Sequence, residues 1–228
     1  MQRVFKSLAE APLTAKFGVT VVLVYTAVAL LAPVLAPYGE TEIVGDSYEV
    51  WGGTYVLGTD NLGRDMLTRL IYGARNTIGI AFLTTTLCFL LGSVTGFLAA
   101  TVGGWVDQVL SRVVDVLMSI PSLIFALVLL TIFGLSIINM VLVIAVLDAT
   151  RVYRLSRAVA QGIVVMDYVE AARLRGEGLW WIMRREVLPN AMPPLVAEFG
   201  LRFVFVFLFI SALSFLGLGI QPPTADWG

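Results

Sequence analysis

The sequence contains no histidine, one cysteine and two lysines, and these shortages exclude several kinds of chemistry. Without histidine, neither a zinc site with an imidazole ligand nor a Ser-His catalytic triad can form. Lys6 and Lys16 do not follow a glycine-rich loop, so the phosphate-binding loop of ATPases is missing. Cys88 lies in an apolar run, which favours a packed thiol. We therefore expect no catalytic activity, no ATP hydrolysis by this chain itself, and no metal or cofactor.

Charged residues are also scarce: they make up 14% of the 228 residues, whereas 58% are apolar. Soluble proteins carry about 25% charged residues. Four stretches contain no Asp, Glu, Lys or Arg, and each reaches the roughly 20 residues with which a helix crosses a bilayer. They are residues 17–39, 76–106, 116–147 and 203–225. The sequence therefore predicts an all-α membrane protein.

Two of these stretches carry further signals. Gly92 and Gly96 form a GxxxG pattern that lets a helix approach closely, and we expect that helix to belong to the same chain. The stretch 116–147 could form one steep helix or two spans, because Phe133-Gly134-Leu135-Ser136 supplies a turn near its middle. We favour two spans, roughly 113–133 with a kink at Pro121 and 136–155, which makes five transmembrane helices in total.

The placement of charge predicts the orientation in the membrane. Arg3, Lys6 and Lys16 precede the first span, and every charged residue from 40 to 60 is acidic. Basic residues favour the cytoplasmic side, so the N-terminus should be cytoplasmic. Residues 151–190 hold seven of the 15 basic residues against four acids, and after four spans this segment returns to the cytoplasm. We expect a cytoplasmic loop at 151–190.

This loop contains signals for a short helix and a return helix. Asp167 and Glu170 form a capping pattern for a helix of about eight residues, and Gly176 is placed to end it in the left-handed conformation. A helix this short is unstable alone in water, so something must hold it. Pro189 is expected to end the amphipathic helix that follows. The apolar face of that second helix consists of Leu179, Ile182, Met183 and Val187.

The helix pair could lie on lipid headgroups or dock onto another protein. A membrane-lying face favours bulky apolar side chains, whereas Ala171 and Ala172 allow close approach by another polypeptide. Docking is therefore the interpretation that we favour.

Several motifs resemble those of a known family. Glu170-Ala171-Ala172, Gly176 and Leu188-Pro189 resemble the EAA signature of ABC importer permeases. Other stretches resemble the C-type permeases of dipeptide, oligopeptide and nickel importers. They are Leu57–Asp65, Ile71–Arg75, Gly103–Asp107, Ile120–Leu123 and Ser214–Pro223.

The resemblance implies a type I ABC importer permease whose loop seats in a cytoplasmic ATPase subunit. Glu170, Ala171, Ala172 and Gly176 would form the docking segment, and Leu188 and Pro189 would anchor the return. Glu186 departs from the signature, which has an isoleucine there. The implied partners are a homologous permease in a heterodimer, two ATPase subunits and an extracytoplasmic solute-binding protein, in a prokaryotic inner membrane and without nucleic acid.

The resemblance also predicts an organisation of the chain. Residues 1–72 would comprise the N-terminal tail, the first span and an external segment that faces the solute-binding protein, and 73–228 the permease core. Family members continue into a sixth helix that is absent here, so we expect a truncated chain.

In the external segment, Thr59 or Asp60 is expected to cap a helix through Met66–Ile71, with Gly58 and Gly63 as turn residues. A calcium loop is not favoured, because the DxDxDG spacing is missing.

Three functions follow from these observations. The first is a permease subunit that forms the pathway for a peptide or similar small solute and couples it to an ATPase through the EAA loop. The second is a membrane scaffold or sensor that recruits a cytoplasmic partner through the same loop. The third and least favoured is an intramembrane aspartyl enzyme using Asp115 and Asp148, because no GxGD pattern accompanies either acid. The motifs do not distinguish dipeptide, oligopeptide and nickel-complex substrates.

Overall fold

The computed structural model describes residues 11–228, and its regular elements within that range are helices. They are α1 (Leu13–Leu35), α2 (Met66–Val102), α3 (Gly104–Ser119), α4 (Ser122–Phe133), α5 (Ile137–Val164), α6 (Asp167–Leu174), α7 (Leu179–Ile182), a π-helical turn (Met183–Val187) and α8 (Leu188–Phe215). The all-α prediction is confirmed. Arg3 and Lys6, which contribute to the predicted orientation, lie outside the described residues.

Among the described residues, three helical segments are long and apolar enough to cross a membrane: α1, α2 and the segment Leu179–Phe215. Together α3 and α4 meet the same requirement, but they are bent by 91° at their break, as in a broken span or a re-entrant loop. The count is therefore three, or four with the bent pair, and the predicted five transmembrane helices are not confirmed. The charged second half of α5 explains why that helix does not qualify.

The predicted turn and kink within 116–147 are both present, but the kink is a complete break. Gly134 adopts a φ of +90° after α4, and the Ser136 hydroxyl caps α5 by accepting a hydrogen bond from the Asn139 amide at 3.1 Å. Ile120 has extended backbone angles because the following Pro121 disfavours the helical region. The chain therefore changes direction at this point.

Helix α5 continues to Val164, so the segment 151–190 begins in helical conformation, and its cytoplasmic location remains a prediction. Two arginines that suggested a loop pair with acids of α3. Arg154 contacts Asp115 at 2.7 Å, and Arg157 contacts Asp107 at 2.6 Å. These pairs give the arginines partners while the backbone stays helical.

Pro189 does not end the return helix, contrary to the prediction. Leu188 has helical backbone angles (φ −56°, ψ −48°), and its amide donates to the Met183 carbonyl five residues back. The wider π-helical turn accommodates the proline, which lacks an amide hydrogen and crowds the preceding turn of a regular α-helix. The helix then continues through Pro193 and Pro194 to Phe215.

The chain divides into two compact units. The first contains the described residues up to Gly79 together with Ile220–Trp227, and the second contains Ile80–Gly219 with Gly228. The division that the sequence suggested at residue 72 concerns function and remains a prediction.

In the first unit, Asp60 organises the external segment. Its carboxylate accepts hydrogen bonds from the Leu62 amide (2.8 Å) and from the amide (3.0 Å) and Nε (2.7 Å) of Arg64. Burial opposes ionisation of this carboxyl, but the hydrogen bonds from Arg64 and Leu62 outweigh it and lower the pKa of Asp60. Gly58 and Gly63 each have a φ of +76°, so both are turn residues as predicted.

The cap of α2 is Asp65, not Thr59 or Asp60. The Asp65 carboxylate accepts hydrogen bonds from the amide and the hydroxyl of Thr68, both at 2.7 Å. Thr59 instead uses its hydroxyl oxygen within the loop, donating to the Asp46 carbonyl and accepting from the Glu49 amide. A capping side chain must lie directly before the first helical turn, and Asp65 is the residue in that position.

In the second unit, α2 packs closely on α5 through the GxxxG glycines. A Cβ atom on Gly92 would lie 2.6 Å from the Cβ of Val152, and one on Gly96 would lie 2.8 Å from the Tyr153 carbonyl oxygen. The prediction that the GxxxG pattern serves packing within the chain is confirmed. Cys88 is fully buried in the same region, as expected for a packed thiol.

Candidate functional site

The predicted docking helix is present as α6, with the expected eight residues. Its cap differs from the prediction: Met166 is the N-cap, no side chain caps the helix, and Asp167 is the first helical residue. Asp167 and Glu170 lie in the first turn, where the positive end of the helix dipole favours acidic side chains. The two acids therefore stabilise the start of α6 without a capping box.

Gly176 ends α6 in the predicted manner. Its φ is +82°, its amide donates to the Arg173 carbonyl at 2.9 Å, and the Glu177 amide donates to the Ala172 carbonyl at 3.2 Å. These two hydrogen bonds form a Schellman motif, which requires a left-handed residue at this position. Glycine adopts that conformation without steric strain.

The chain itself holds α6 in place. Val169 and Ala172 are fully buried on the inner face of the helix. They join a cluster contributed by α2, α5, α7, the π-helical turn and α8, which comprises Phe97, Ala160, Val169, Ala172, Ile182, Met183, Val187, Ala191 and Leu195. The short helix is therefore stabilised by tertiary packing, and it does not need an external partner to form.

The two signature alanines face in different directions. Ala172 is fully buried, whereas Ala171 is exposed. The expectation that both alanines approach a partner therefore applies to Ala171 alone. Ala172 lets α6 lie close against the chain's own core. Burial of one alanine and not the other depends on tertiary packing, which a local motif does not reveal.

The exposed side of α6, which we call the outer face, combines acidic and apolar side chains. It consists of Asp167, Tyr168, Glu170, Ala171 and Leu174, while the side chain of Arg173, which is also exposed, donates a hydrogen bond to the Thr101 carbonyl at 3.3 Å. Leu174 is 83% exposed and Tyr168 is 42% exposed. Sequence reasoning did not single out these two residues. Their spacing out of phase with Val169 and Ala172 is the signal that could have identified them.

The remaining predicted site residues lie at the end of the π-helical turn, whose Val187 shares the buried cluster with α6. Leu188 is 37% exposed, Pro189 is exposed, and Glu186 is half-buried, all at the junction between the π-helical turn and α8. The apolar face predicted for the return helix is largely confirmed, because Ile182, Met183 and Val187 are buried while Leu179 is 39% exposed.

Asp115 and Asp148 each pair with a different arginine of α5. Asp115 contacts Arg154, and Asp148 contacts Arg151, each at 2.7 Å. Asp148 is buried and is the twelfth residue of the 28-residue α5. The part of the chain that the structure describes contains no group of three or more His, Cys, Asp or Glu residues suited to a metal ion.

Comparison with known proteins identifies the family. Residues 92–228 match the family of the binding-protein-dependent transport system inner membrane component. The chain is 38% identical over 218 residues to the di/tripeptide transport system permease protein DppC of Pseudomonas aeruginosa, covering 92% of this chain and 72% of that protein. It is 39% identical over 218 residues to the dipeptide permease DppC of Escherichia coli K12, covering 92% and 73%.

A third relative is the glutathione transport system permease protein GsiD of Pectobacterium atrosepticum, with 31% identity over 214 residues and coverage of 91% and 69%. The chain belongs to the family of inner-membrane components of binding-protein-dependent transport systems. The resemblance to ABC importer permeases of the dipeptide type is confirmed. With its apolar helices, the chain is a multi-pass inner-membrane permease.

Proposed function

We propose that the chain is the permease subunit of a peptide ABC importer and that α6 receives the movement of a cytoplasmic ATPase. The observation that carries this proposal is the division of α6 into two faces. Its inner face is buried in the chain's own core. Its outer face, which includes the acidic residues Asp167 and Glu170, is exposed. A surface of this kind suits a contact that transmits force.

The packing of the inner face gives a route for this movement. Val169 and Ala172 belong to the same buried cluster as Phe97 of α2, Ala160 of α5 and Leu195 of α8. Displacement of α6 would therefore move the adjoining ends of α2, α5 and α8 together as one rigid group. Such rigid-body movement is a common way of switching a protein between two states.

The names of the relatives support a small peptide as the solute. They include di/tripeptide, dipeptide and glutathione permeases, and glutathione is itself a tripeptide. We propose the same substrate class here, without nickel. The proposed partners are a homologous permease in a heterodimer, two ATPase subunits and an extracytoplasmic solute-binding protein.

The proposed topology has five spans and a cytoplasmic N-terminus, with α1 and α2 as the first two spans. The bent pair α3–α4 would be the third, α5 the fourth and the segment Leu179–Phe215 the fifth. This order places α6 in the cytoplasm and residues 38–65 outside. The external segment exposes Tyr48, Val50 and Trp51, each by at least 74%, which supports its role as the surface for the solute-binding protein.

Site-specific crosslinking tests the docking role of α6. With Ala171→Cys in the assembled importer, a short bifunctional reagent should capture the ATPase subunit. Ala172→Cys is the matched control because its side chain is fully buried one residue away, and it should give little product. Capture of lipid alone from position 171 would contradict the proposal.

A membrane scaffold or sensor remains the second candidate, because the exposed outer face could recruit a partner without transport. Co-purification followed by uptake separates the two functions. An importer brings down an ATPase with a phosphate-binding loop and accumulates dipeptide with ATP, whereas a scaffold brings down a partner without supporting uptake.

A further inference from the structure

Four charged residues meet where α5 packs against α8, within the second unit. Asp148 and Arg151 belong to α5, and Glu198 and Arg202 belong to α8. The side chains of Asp148 and Arg202 are only 10% and 11% exposed. Arg202 is the fifteenth residue of the 28-residue α8, about 20 Å from either end. The hydrocarbon core is about 30 Å thick, so a position about 20 Å from the end of the span at Phe215 lies within the membrane.

The pairing of these charges is incomplete at Arg202. Its Nη1 atom lies 3.6 Å from Oδ1 of Asp148, and its Nε atom lies 2.7 Å from Oε1 of Glu198. Both nitrogens are buried, and neither makes a hydrogen bond within the described part of the chain. Oδ1 of Asp148 is engaged instead by Arg151 at 2.7 Å. The Nη1 donor of Arg202 thus has no aligned acceptor among the described residues, whereas Nε is in a close but poorly aligned ion pair with Glu198.

A buried charge with unfilled donors is costly in a membrane protein. Ionisable residues within membrane-spanning segments generally face an interior pathway and mark functional sites. A buried ion pair is also a weak source of stability, because apolar residues of the same volume often serve as well. Packing alone therefore does not account for the arrangement, and the Nη1 donor without an aligned acceptor points to a ligand.

The chemistry of Arg202 specifies that ligand. A guanidinium binds a carboxylate through two parallel hydrogen bonds, which Lys cannot reproduce. The Phe205 ring lies 4.7 Å from the guanidinium carbon, so one face of the group is covered and its edge carries the donors. The nearby carboxylates of Asp148 and Glu198 suit an ammonium group.

Charge balance favours a zwitterion over a simple anion. The two arginines and two acids of the cluster sum to zero, so a solute with one charge of each sign enters without leaving an excess charge in the membrane. The site is also not sealed, because the Glu198 side chain is 20% exposed. A short peptide with free termini has the required chemistry.

We propose that Arg202, with Asp148 and Glu198, is the site within the membrane-spanning helices where the permease binds the terminal charges of a peptide in transit. Arg202 binds the terminal carboxylate, and the two acids bind the terminal ammonium. This inference rests on the proposed function as a peptide permease.

The test uses the whole importer reconstituted in proteoliposomes with saturating solute-binding protein and dialanine as the probe. Arg202→Gln should lower dialanine uptake about tenfold, the scale of one lost charge-assisted hydrogen bond, while ATP hydrolysis stimulated by the binding protein persists. Arg202→Lys should recover part of the uptake. The matched control is Arg154→Gln, which removes an arginine of α5 from an exposed ion pair and should leave uptake unchanged.

A double variant separates peptide binding from charge neutralisation. If Arg202 only balances Asp148, then removing both charges with Asp148→Asn and Arg202→Gln restores uptake, and the proposal is wrong. If Arg202 binds the peptide, uptake by the double variant stays low. If the importer with Arg202→Gln alone does not assemble, the double variant still shows whether Arg202 binds the peptide or only neutralises Asp148, because the double variant removes both charges and leaves neither unbalanced.

The C-terminal amide of dialanine identifies the group that Arg202 binds. Arg202→Gln should reduce uptake of the free acid more than uptake of the amide. Any preference of the solute-binding protein for one peptide is the same for the wild-type and the variant importer, so it cancels when the two are compared. An equal reduction for both peptides would overturn the assignment of the carboxylate. Failure of the wild-type importer to take up either peptide would instead contradict the proposed function.

Discussion

Gly176 offers the sharpest test of how α6 contributes to transport. Its φ of +82° lies in the left-handed region, which costs a residue with a Cβ atom about 1–2 kcal/mol. A Cβ atom at this position would meet no other atom within 4 Å, so Gly176→Ala introduces backbone strain without a steric clash. The expected effect can therefore be calculated from backbone conformation alone.

That strain should loosen the end of α6. A cost of 1–2 kcal/mol changes the ratio of ordered to opened states by about 5- to 30-fold. Hydrogen–deuterium exchange should show the loss at the amides of Gly176 and Glu177, which form the Schellman hydrogen bonds. In proteoliposomes, the number of peptides taken up per ATP hydrolysed should fall, because an opened α6 no longer transmits movement.

Gly178 provides a matched control two residues away. A Cβ atom on Gly178 would also meet no other atom within 4 Å, but the φ of this residue is −72°, which any residue adopts. Gly178→Ala should therefore leave exchange and coupling unchanged. Gly176→Asn should recover part of the loss, because asparagine tolerates the left-handed region better than alanine. Equal behaviour of Gly176→Ala and Gly178→Ala would refute the reasoning.

Three further predictions concern the rest of the chain. Gly96→Ala should lower the free energy of unfolding of the purified protein by about 1–3 kcal/mol in a thermal melt, because its Cβ would press on the α5 backbone. The control Gly200→Ala, where a Cβ meets no other atom within 4 Å, should be neutral or stabilising. Asp65→Ala removes the cap of α2, so it should lower the free energy of unfolding by about 1 kcal/mol and increase hydrogen–deuterium exchange in the first turn of that helix. The lowered pKa of Asp60 means that its stabilising contribution is present above the unfolded pKa and is lost as the pH falls through the lower folded value. Limited proteolysis of residues 40–65 should therefore accelerate in that acidic window for the wild type, and Asp60→Asn should be cleaved readily at neutral pH with little further change on acidification.

Features set by neighbouring residues were predictable from the sequence. Gly176 has the left-handed conformation that its spacing from Asp167 indicated, and Gly134 makes the expected turn. A kink at Pro121 was also predicted, but neither the complete break nor the angle of 91° between the two helices was, because a local rule on the residue before proline does not say where the next helix packs.

Features that depend on distant residues were not predictable in the same way. The arginines at 154 and 157 suggested a loop because their acidic partners lie 39 and 50 residues earlier in the chain. The opposite exposure of Ala171 and Ala172 depends on a cluster drawn from several helices. The pairing of Asp148 with Arg202 joins residues 54 positions apart, so Arg202 was not singled out and Asp148 was considered only together with Asp115.

The π-helical turn at Met183–Val187 adds a residue without rotating the helices on either side relative to each other. A π-helical turn holds one residue more than the α-helical turn that it replaces, so deleting one residue from it would leave the faces of α7 and α8 nearly unrotated. A deletion from the regular part of α8 would instead rotate the remainder of that helix by about 100°. After a deletion in the π-helical turn Ile182 would stay in the buried cluster, and the cost would fall on Pro189, whose ring would crowd the carbonyl four residues back.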